Sequence, residues 1–413
     1  MKIANGSIKL NIIWNSTGNI IYLGMQWLIS VFIARILGYN DAGIFSLAMS
    51  ITNIFTCIAL FGIRNFQVSD LEGKYSDMDY IKSRIITCIC AVILCSIYIS
   101  LLPYTLIQKS CIVIYMLYRA SESFADVLHG IDQKSWRMDI VGKSYFLRGT
   151  FMFVIAAALA FITENIILVI LGMTIITTVI IFYYDLRQTL KLVKTDSKNN
   201  GRYKLLLVES IPLVIYMIMQ NSMGSIPRLF LERISGSDML GIYSSIASPT
   251  LIIQIGASYL FIPLIGVFAD YIKARDNSKF MKLFIKIYVI IALLSLASIV
   301  IGGIFGEFGL KVLFGISILP YSYILLPIIL CTILTALSWF LCMILTVFRD
   351  MKGLIIGNSI GLAFNFILAP KYIRNYSLNG TSYILIISLI IQIVILQIFI
   401  FVDITRKKPL TNL

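Results

Sequence analysis

The sequence predicts an all-α integral membrane protein, with about twelve transmembrane helices in two parallel-repeat six-helix bundles around a central cavity. Apolar residues make up 59% of the 413 positions and charged residues only 13%, whereas a soluble protein has about half and a quarter. Apolar runs of about twenty residues recur along the whole chain, and each is long enough to cross roughly 30 Å of hydrocarbon. A similar stretch in each half predicts that the two bundles are repeats.

The apolar runs place the spans in order along the chain. We predict spans at 11–33, 42–63, 85–103, 110–130, 145–163, 165–186, 205–227, 240–268, 284–306, 322–347, 353–370 and 381–403. The first run continues as a span and lacks a small-residue cleavage site, so no signal peptide is expected.

The basic residues are distributed unevenly between the loops. If the N-terminus is cytoplasmic, 25 of the 34 Lys and Arg lie in cytoplasmic segments, seven lie outside, and Arg119 and Arg148 remain within spans. This positive-inside pattern predicts a multi-pass protein of the cytoplasmic (inner) membrane with both termini in the cytoplasm. It also accounts for the net charge of +14 without a nucleic-acid partner.

Two segments, 31–50 (VFIARILGYNDAGIFSLAMS) and 229–248 (LFLERISGSDMLGIYSSIAS), indicate an internal duplication. They are identical at eight of twenty positions without a gap. The matched pairs include Arg35 with Arg233, Gly38 with Gly236 and Gly43 with Gly241. Chance similarity between apolar strings is the alternative, and a matched arginine with two matched glycines in one turn argues against it.

The longest polar stretch between spans lies near the midpoint of the chain and divides it. We predict an N-terminal six-helix bundle at 1–190, a cytoplasmic linker at 191–204 and a C-terminal six-helix bundle at 205–413. Six spans in each half give both halves the same orientation, so the repeats are parallel. A substrate site is then expected between them near the membrane midplane, reached from alternate sides.

The fourth span carries a cluster of polar side chains on one face. At about 100° per residue, Tyr115, Arg119, Glu122 and Asp126 fall within about 60° of one another. Arg119 and Glu122 have the i,i+3 spacing of an ion pair. An unpaired charge at this depth costs at least about 2.5–3.5 kcal/mol, so these groups are expected to face a wet cavity or another helix rather than lipid.

Two interpretations of this cluster remain open. In the structural one, the ion pair locks two helices together. In the functional one, Arg119 contacts an anionic head group while Glu122 or Asp126 exchanges a coupling ion. Arg148, in the fifth span, is a second candidate cation for the substrate, and it could equally extend its head group to the cytoplasmic surface.

Amide and phenol groups form a second predicted surface. Asn15, Asn19, Tyr22 and Gln26 share one face of the first span, and the seventh span, its counterpart, places Glu209, Tyr216 and Gln220 together. Such stripes often join helices, but they also supply the donors and acceptors that sugar hydroxyls require. The recurrence in both halves favours cavity lining, with Glu209 as a third candidate ion-coupling acid.

Other chemistry is not indicated by the sequence. No Walker-type phosphate loop is present, and no long outer loop is available for a glycosyltransferase or polymerase site. Cys88 and Cys90 have no ligand cluster near them, and His129, by the cytoplasmic end of the fourth span, is expected to be interfacial. We therefore expect no catalysis, no cofactor and no metal.

Several segments resemble a known family. Ser7-Ile-Lys through Ala34-Arg-Ile-Leu-Gly38 and Gly43-Ile-Phe-Ser-Leu-Ala48, the later Gly241-Ile-Tyr-Ser244, and Gly130-Ile-Asp-Gln-Lys-Ser-Trp-Arg-Met-Asp139 carry the likeness. The chain resembles, along essentially its whole length, the polysaccharide-transport branch of the multidrug/oligosaccharidyl-lipid/polysaccharide exporter superfamily, the O-antigen and capsule repeat-unit flippases. One departure is Pro227, where an Asp is expected before Arg228, so an acidic role is not expected there.

The resemblance implies a function and partners. It implies a V-shaped fold that moves undecaprenyl-diphosphate-linked oligosaccharide to the outer leaflet, with coupling to H⁺ or Na⁺. It also implies a pathway that includes glycosyltransferases and a polysaccharide polymerase. Two alternatives are a drug/cation antiporter of the same superfamily, which Arg119 and Arg148 disfavour because guanidinium groups suit a diphosphate, and a membrane polymerase, which the short outer loops disfavour.

Overall fold

A computed structural model describes residues 5–70, 73–193, 201–261 and 264–406 of the chain. Within these ranges the chain forms helices joined by short turns, and no β-strand is present. Nine segments of the described residues are helical, long and apolar enough to cross a membrane. The predicted class, an all-α multi-pass membrane protein, is confirmed.

The described residues of the first half form nine α-helices. They are α1 (Asn5–Ile36), α2 (Tyr39–Leu60), α3 (Ile63–Ser69), α4 (Asp77–Ser100), α5 (Leu106–Lys134), α6 (Met138–Thr163), α7 (Ile166–Ile180), α8 (Leu186–Thr189) and α9 (Tyr203–Ser235). A π-helical turn, Ile181–Asp185, joins α7 to α8. The helices α4 and α5 each begin with a capping box, at Ser76 with Asp79 and at Thr105 with Gln108, which satisfies backbone N–H groups that have no partner within the helix.

Six more α-helices and two short 3₁₀ segments lie in the part of the second half that the structure describes. They are α10 (Ser237–Ala247), α11 (Leu251–Phe261), α12 (Ile265–Lys273), α13 (Asn277–Phe314), α14 (Leu325–Phe348) and α15 (Met351–Arg406). The predicted span 240–268 is broken by the 3₁₀ turn at Ser248–Thr250, which contains a proline. The predicted spans 353–370 and 381–403 both lie in α15, which has a non-helical residue, Ser377 (φ 49°), between them.

The duplicated segments have the same backbone at their turns. Gly38 precedes α2 with φ 90° and ψ 177°, and Gly236 precedes α10 with φ 88° and ψ 171°. Such angles favour glycine because a side chain is strained there. The identical geometry explains why both repeats keep glycine at this position.

The chain divides into two compact units, unit 1 (Met1–Asn221) and unit 2 (Ser222–Leu413), and the division falls within α9. The predicted domain boundaries, 1–190 and 205–413, stay a prediction. Residues 194–200 of the predicted linker lie outside the described ranges.

Glycines bring α1 and α6 close together in unit 1. A Cβ added at Gly18 would lie 2.0 Å from the Gly142 carbonyl oxygen, and one added at Gly149 would lie 2.8 Å from the Tyr22 Cα. Only residues without a side chain allow two helix backbones to approach this closely, a common packing mode in membranes. The contact places Tyr22 of α1 directly beside the Arg148 turn of α6.

Candidate functional site

Unit 1 contains a cavity of about 290 Å³ whose wall is mostly polar. Residues of α1, α2, α5 and α6 line it: Asn19, Tyr22, Leu23, Gln26, Thr56, Leu60, Arg119, Glu122, Ser123, Asp126 and Tyr145. Nine of these eleven side chains carry an amide, hydroxyl or charged group. A wall of this composition suits a hydrated, polar ligand rather than an apolar one.

Arg119 lies in this wall, and its partner is a hydroxyl rather than an acid. Its Nε donates to Thr56 Oγ1 over 3.2 Å. The expected i,i+3 ion pair with Glu122 is wrong, because among the described residues no carboxylate lies within 4.0 Å of this guanidinium. The positive charge of Arg119 is therefore directed at the cavity without a local counter-ion.

Glu122 is instead paired with Arg148 of α6. Arg148 Nη1 lies 2.7 Å from Glu122 Oε1, and the Tyr22 hydroxyl donates to Oε2 over 2.6 Å. The Arg148 side chain is 1% exposed, so it points into the bundle and does not extend to a surface. The pair places Glu122 at the cavity with both oxygens already occupied.

The Tyr22 hydroxyl is also part of a hydrogen-bonded group with a second hydroxyl and an amide. It lies 3.0 Å from the Tyr118 hydroxyl, and Gln26 Nε2 contacts both oxygens, at 2.8 and 2.7 Å. The guanidinium of Arg148 lies over the rings of Tyr22 and Tyr145, 5.5 and 5.1 Å from their centroids. These cation–π contacts help to hold a buried cation that has lost its hydration.

Asp126 is held by two arginines from other helices. Arg64 Nη1 of α3 contacts Oδ1 and Arg84 Nη2 of α4 contacts Oδ2, both at 2.8 Å. Arg84 is fully buried, and its Nη1 also donates to the Ala59 carbonyl. One carboxylate thus neutralises only one of two guanidinium groups.

The charges around the cavity are consequently unequal. Four guanidinium groups, those of Arg64, Arg84, Arg119 and Arg148, stand against the carboxylates of Glu122 and Asp126 at the wall and of Asp185 behind Arg148, which leaves an excess of one positive charge. Coulomb interactions are stronger where water is scarce. The site is therefore suited to an anion.

The residues chosen from the sequence fall into three groups. Asn19, Gln26, Arg119, Glu122 and Asp126 all line the cavity. Arg148 lies directly behind it and contacts Glu122. Two others are outside its lining: Tyr115 is buried and packs edge-on against Phe45, and the Asn15 backbone lies against Gly142 in the contact of α1 with α6.

The three candidates in α9 are separate from this cavity, and none of them lines it. Glu209 contacts Lys74 Nζ at 2.7 Å and accepts a 2.7 Å hydrogen bond from the Tyr75 hydroxyl. Tyr216 and Gln220 follow on the same helix and are half-buried. The proposed binding role of these two, and the coupling role of Glu209, stay predictions.

The sequence interpretation missed Arg64 and Arg84, which it assigned to a cytoplasmic loop, and Tyr118 and Tyr145. The signal for the two arginines was a carboxylate, Asp126, with no partner on its own helix. His129 was also placed wrongly, since it is 1% exposed and its Nε2 lies 3.3 Å from Asp185 Oδ1. In the described part of the chain, no three His, Cys, Asp or Glu side chains are grouped as metal ligands.

The helical arrangement has close structural relatives among membrane transporters. A multidrug resistance MATE family transporter of the MOP superfamily in an inward-facing conformation superposes with a TM-score of 0.66 and 13% sequence identity. The match covers 97% of this chain and 100% of that chain. The lipid II flippase MurJ in an inward closed conformation superposes with a TM-score of 0.74 and 13% sequence identity. The match covers 95% of this chain and 90% of that chain. The molecule thus has the twelve-helix, two-repeat fold of these transporters, which confirms the predicted architecture.

Sequence comparison identifies the family. Residues 8–272 match the family described as "Polysaccharide biosynthesis protein", and the chain belongs to it. The capsular polysaccharide biosynthesis protein CapF of Staphylococcus aureus is 26% identical over 301 residues, which cover 72% of this chain and 75% of that protein. The resemblance drawn from the sequence is confirmed.

Proposed function

We propose that this protein is a flippase that moves undecaprenyl-diphosphate-linked oligosaccharide repeat units across the cytoplasmic membrane, by alternating access, for capsule, O-antigen or lipopolysaccharide synthesis. Membership of a polysaccharide biosynthesis family and similarity to CapF and to the lipid II flippase MurJ support this role. The observation that carries it is the excess of positive charge around the cavity of unit 1, where Arg119 has no carboxylate partner within 4.0 Å among the described residues.

Arg119 is the group that we assign to the diphosphate. Its charge faces the cavity, and its guanidinium fork can donate two parallel hydrogen bonds to phosphate oxygens. Asn19, Gln26 and Tyr145 in the same wall offer the donors and acceptors that sugar hydroxyls need. Arg148 contributes indirectly, because it neutralises Glu122, which would otherwise repel the substrate.

The cationic cavity disfavours the alternative of a drug/cation antiporter. Its two carboxylates, Glu122 and Asp126, are each held by at least one guanidinium group, so neither is available to pair with a cationic drug. A polysaccharide polymerase is the weaker alternative. The proposed role involves translocation with no catalytic step, and the pathway's glycosyltransferases and polymerase act before and after it.

We place both termini in the cytoplasm, as the positive-inside distribution indicates. Coupling to H⁺ or Na⁺ is part of the proposal, with Glu122 as the acceptor in a state in which it has separated from Arg148, and with Asp126 and Glu209 as further candidates. Protonation of Glu122 would release Arg148 and change the packing of α5 against α6.

The test of the substrate assignment is Arg119→Ala in proteoliposomes. The probe is a fluorescent undecaprenyl diphosphate-linked N-acetylglucosamine, and the measurement is its appearance in the outer leaflet. We expect at least about a tenfold loss of rate, since a charge-assisted pair is worth about 1.5–3 kcal/mol, and only partial recovery with Arg119→Lys. Arg233→Ala, an exposed arginine of the second repeat, is the matched control and should transport normally.

Two outcomes would contradict the proposal. One is equal transport by wild type and Arg119→Ala at equal reconstituted amounts. The other is wild-type protein that moves no lipid-linked sugar but exports a cationic dye. The coupling role has its own test: Glu122→Gln should alter the dependence of transport on an imposed proton or sodium gradient, and an unchanged response would remove Glu122 from that role.

A further inference from the structure

We propose that Asp185 and Ser144 are positioning residues that keep Arg119 available to an anionic substrate, although neither lies in the cavity wall. The inference rests on the proposed function of the cavity. It depends on a chain of hydrogen bonds that begins at the π-helical turn Ile181–Asp185 and ends at Glu122.

The π-helical turn brings Asp185 into the interior of unit 1. Within this turn the Leu186 N–H bonds to the Ile181 carbonyl, five residues back, so one residue more than in an α-helix is accommodated. Such turns are rare and often lie at functional sites. Asp185 is 0% exposed here, and burial of a carboxylate is costly unless it is paired and hydrogen-bonded.

The partners of Asp185 fix the donor and acceptor direction of the hydrogen bonds between Asp185 and Arg148. The Ser144 hydroxyl donates to Asp185 Oδ2 over 2.9 Å, and Arg148 Nε donates to Ser144 Oγ over 3.1 Å. Because a hydroxyl has one hydrogen, the bond to Asp185 directs the lone pairs of Ser144 toward Arg148. His129 Nε2, 3.3 Å from Oδ1, holds the other oxygen of Asp185.

This anchor determines where the far end of Arg148 points. With Nε fixed by Ser144, Nη1 reaches Glu122 Oε1 at 2.7 Å. Nη2 is buried and has no hydrogen-bond partner among the described residues. Only two of the three guanidinium nitrogens therefore hold Arg148 in place, and loss of the Ser144 contact would leave one.

The position of Arg148 matters because Glu122 has a competing partner. Arg119 is on the same helix, three residues earlier, at a spacing where a glutamate and an arginine attract each other. In the structure Arg148 holds Glu122, and Arg119 faces the cavity with Thr56. If Arg148 were released, Glu122 would pair with Arg119 and cancel the charge that binds the substrate.

The experiment measures binding of undecaprenyl diphosphate, which contains the anionic group without any sugar, to the purified full-length protein in detergent. We expect Ser144→Ala and Asp185→Ala each to weaken binding about fivefold to tenfold, in line with the net contribution of one typical hydrogen bond. Adding Glu122→Gln to either variant should restore most of the affinity, because a neutral residue at 122 cannot occupy Arg119. Thr177→Val is the control, because it removes a buried hydroxyl of α7 that is not part of this series of hydrogen bonds.

The possible outcomes separate this inference from the proposed function. If Arg119→Ala weakens binding but Ser144→Ala and Asp185→Ala bind as wild type, the positioning role is wrong and the cavity assignment stands. Weakened binding that Glu122→Gln does not rescue, in variants with unchanged melting temperatures, also overturns it. If wild type binds undecaprenyl diphosphate no better than undecaprenol, the proposed function itself fails.

Discussion

The two units share a topology but differ in how they use polar side chains. Both fully buried arginines among the described residues, Arg84 and Arg148, lie in unit 1. In unit 2 the buried interior contains amides, with Gln392 donating to Asn358 Oδ1 over 2.7 Å and Asn365 donating to the Met223 carbonyl over 2.9 Å.

Unit 2 also contains a cluster of aromatic rings. Phe268, Phe280, Phe284 and Phe340 are buried and in mutual contact, with ring centroids 5.2–6.1 Å apart. The repeat thus preserved the glycine turn that shapes the backbone and allowed the interior chemistry to diverge. Among the described residues, fully buried arginines occur in unit 1 only, where we propose that their charge serves the substrate.

The largest expected effect on stability comes from removing a buried charge in unit 1. Arg148→Ala leaves Glu122 unpaired, and breaking a buried pair costs about 3–5 kcal/mol. The measurement is the free energy of unfolding in mixed micelles. Arg148→Ala with Glu122→Gln should recover most of the loss, and a single variant as stable as wild type would show that unit 1 does not depend on its ion pairs.

The next effect tests backbone packing in each unit. Gly142→Ala should destabilise the protein by about 3 kcal/mol, at the upper end for overpacking, because the added Cβ would lie 2.1 Å from the Trp14 carbonyl oxygen. Gly303→Ala in α13, where nothing lies within 4 Å, should be neutral or stabilising by about 0.5–1 kcal/mol. Equal effects on thermal unfolding would contradict the close contact of α1 with α6.

A smaller effect is expected from the amides of unit 2. Gln392→Leu removes the bond to Asn358, and interhelical bonds of this type contribute about 0.6 kcal/mol on average in membranes. We expect a loss near that value and unchanged binding of undecaprenyl diphosphate. A binding loss as large as that of Arg119→Ala would show that the polar chemistry of unit 2 also serves the substrate.

The smallest effect concerns the pair at the beginning of α9. Lys74 and Glu209 keep side-chain exposures of 49% and 33%, and an exposed pair is worth about 0–1 kcal/mol. Glu209→Gln should therefore lower the unfolding free energy by less than about 1 kcal/mol, and added salt should reduce the difference. A loss comparable to that of Arg148→Ala would place Glu209 among the buried charges.

Much of the fold could be predicted because membrane helices are recognisable in a sequence by their length and hydropathy. In the residues that the structure describes, each of the twelve predicted spans lies largely on helix. The interruptions within helices were harder to predict from the sequence. Pro249 suggests the interruption of the eighth span. Nothing in the apolar pattern marks Ser377, where one long helix continues on both sides of a single non-helical residue.

The candidate site was predicted in part for a similar reason. Helical periodicity brought Arg119, Glu122 and Asp126 to one face, which local spacing can do. It also favoured the nearest partner, and so paired Glu122 with Arg119 rather than with Arg148, 26 residues further along. Partners contributed by other helices depend on packing, which periodicity does not contain.

The burial of Arg84 has a consequence for biogenesis. Its carboxylate partner, Asp126, is 42 residues downstream on α5, so Arg84 is neutralised only once α5 has packed against α4. Insertion of α4 alone would expose an unpaired guanidinium to lipid or head groups. Insertion of α4 and α5 together as a hairpin would keep Arg84 paired with Asp126 and avoid the cost of an unpaired charge in the membrane.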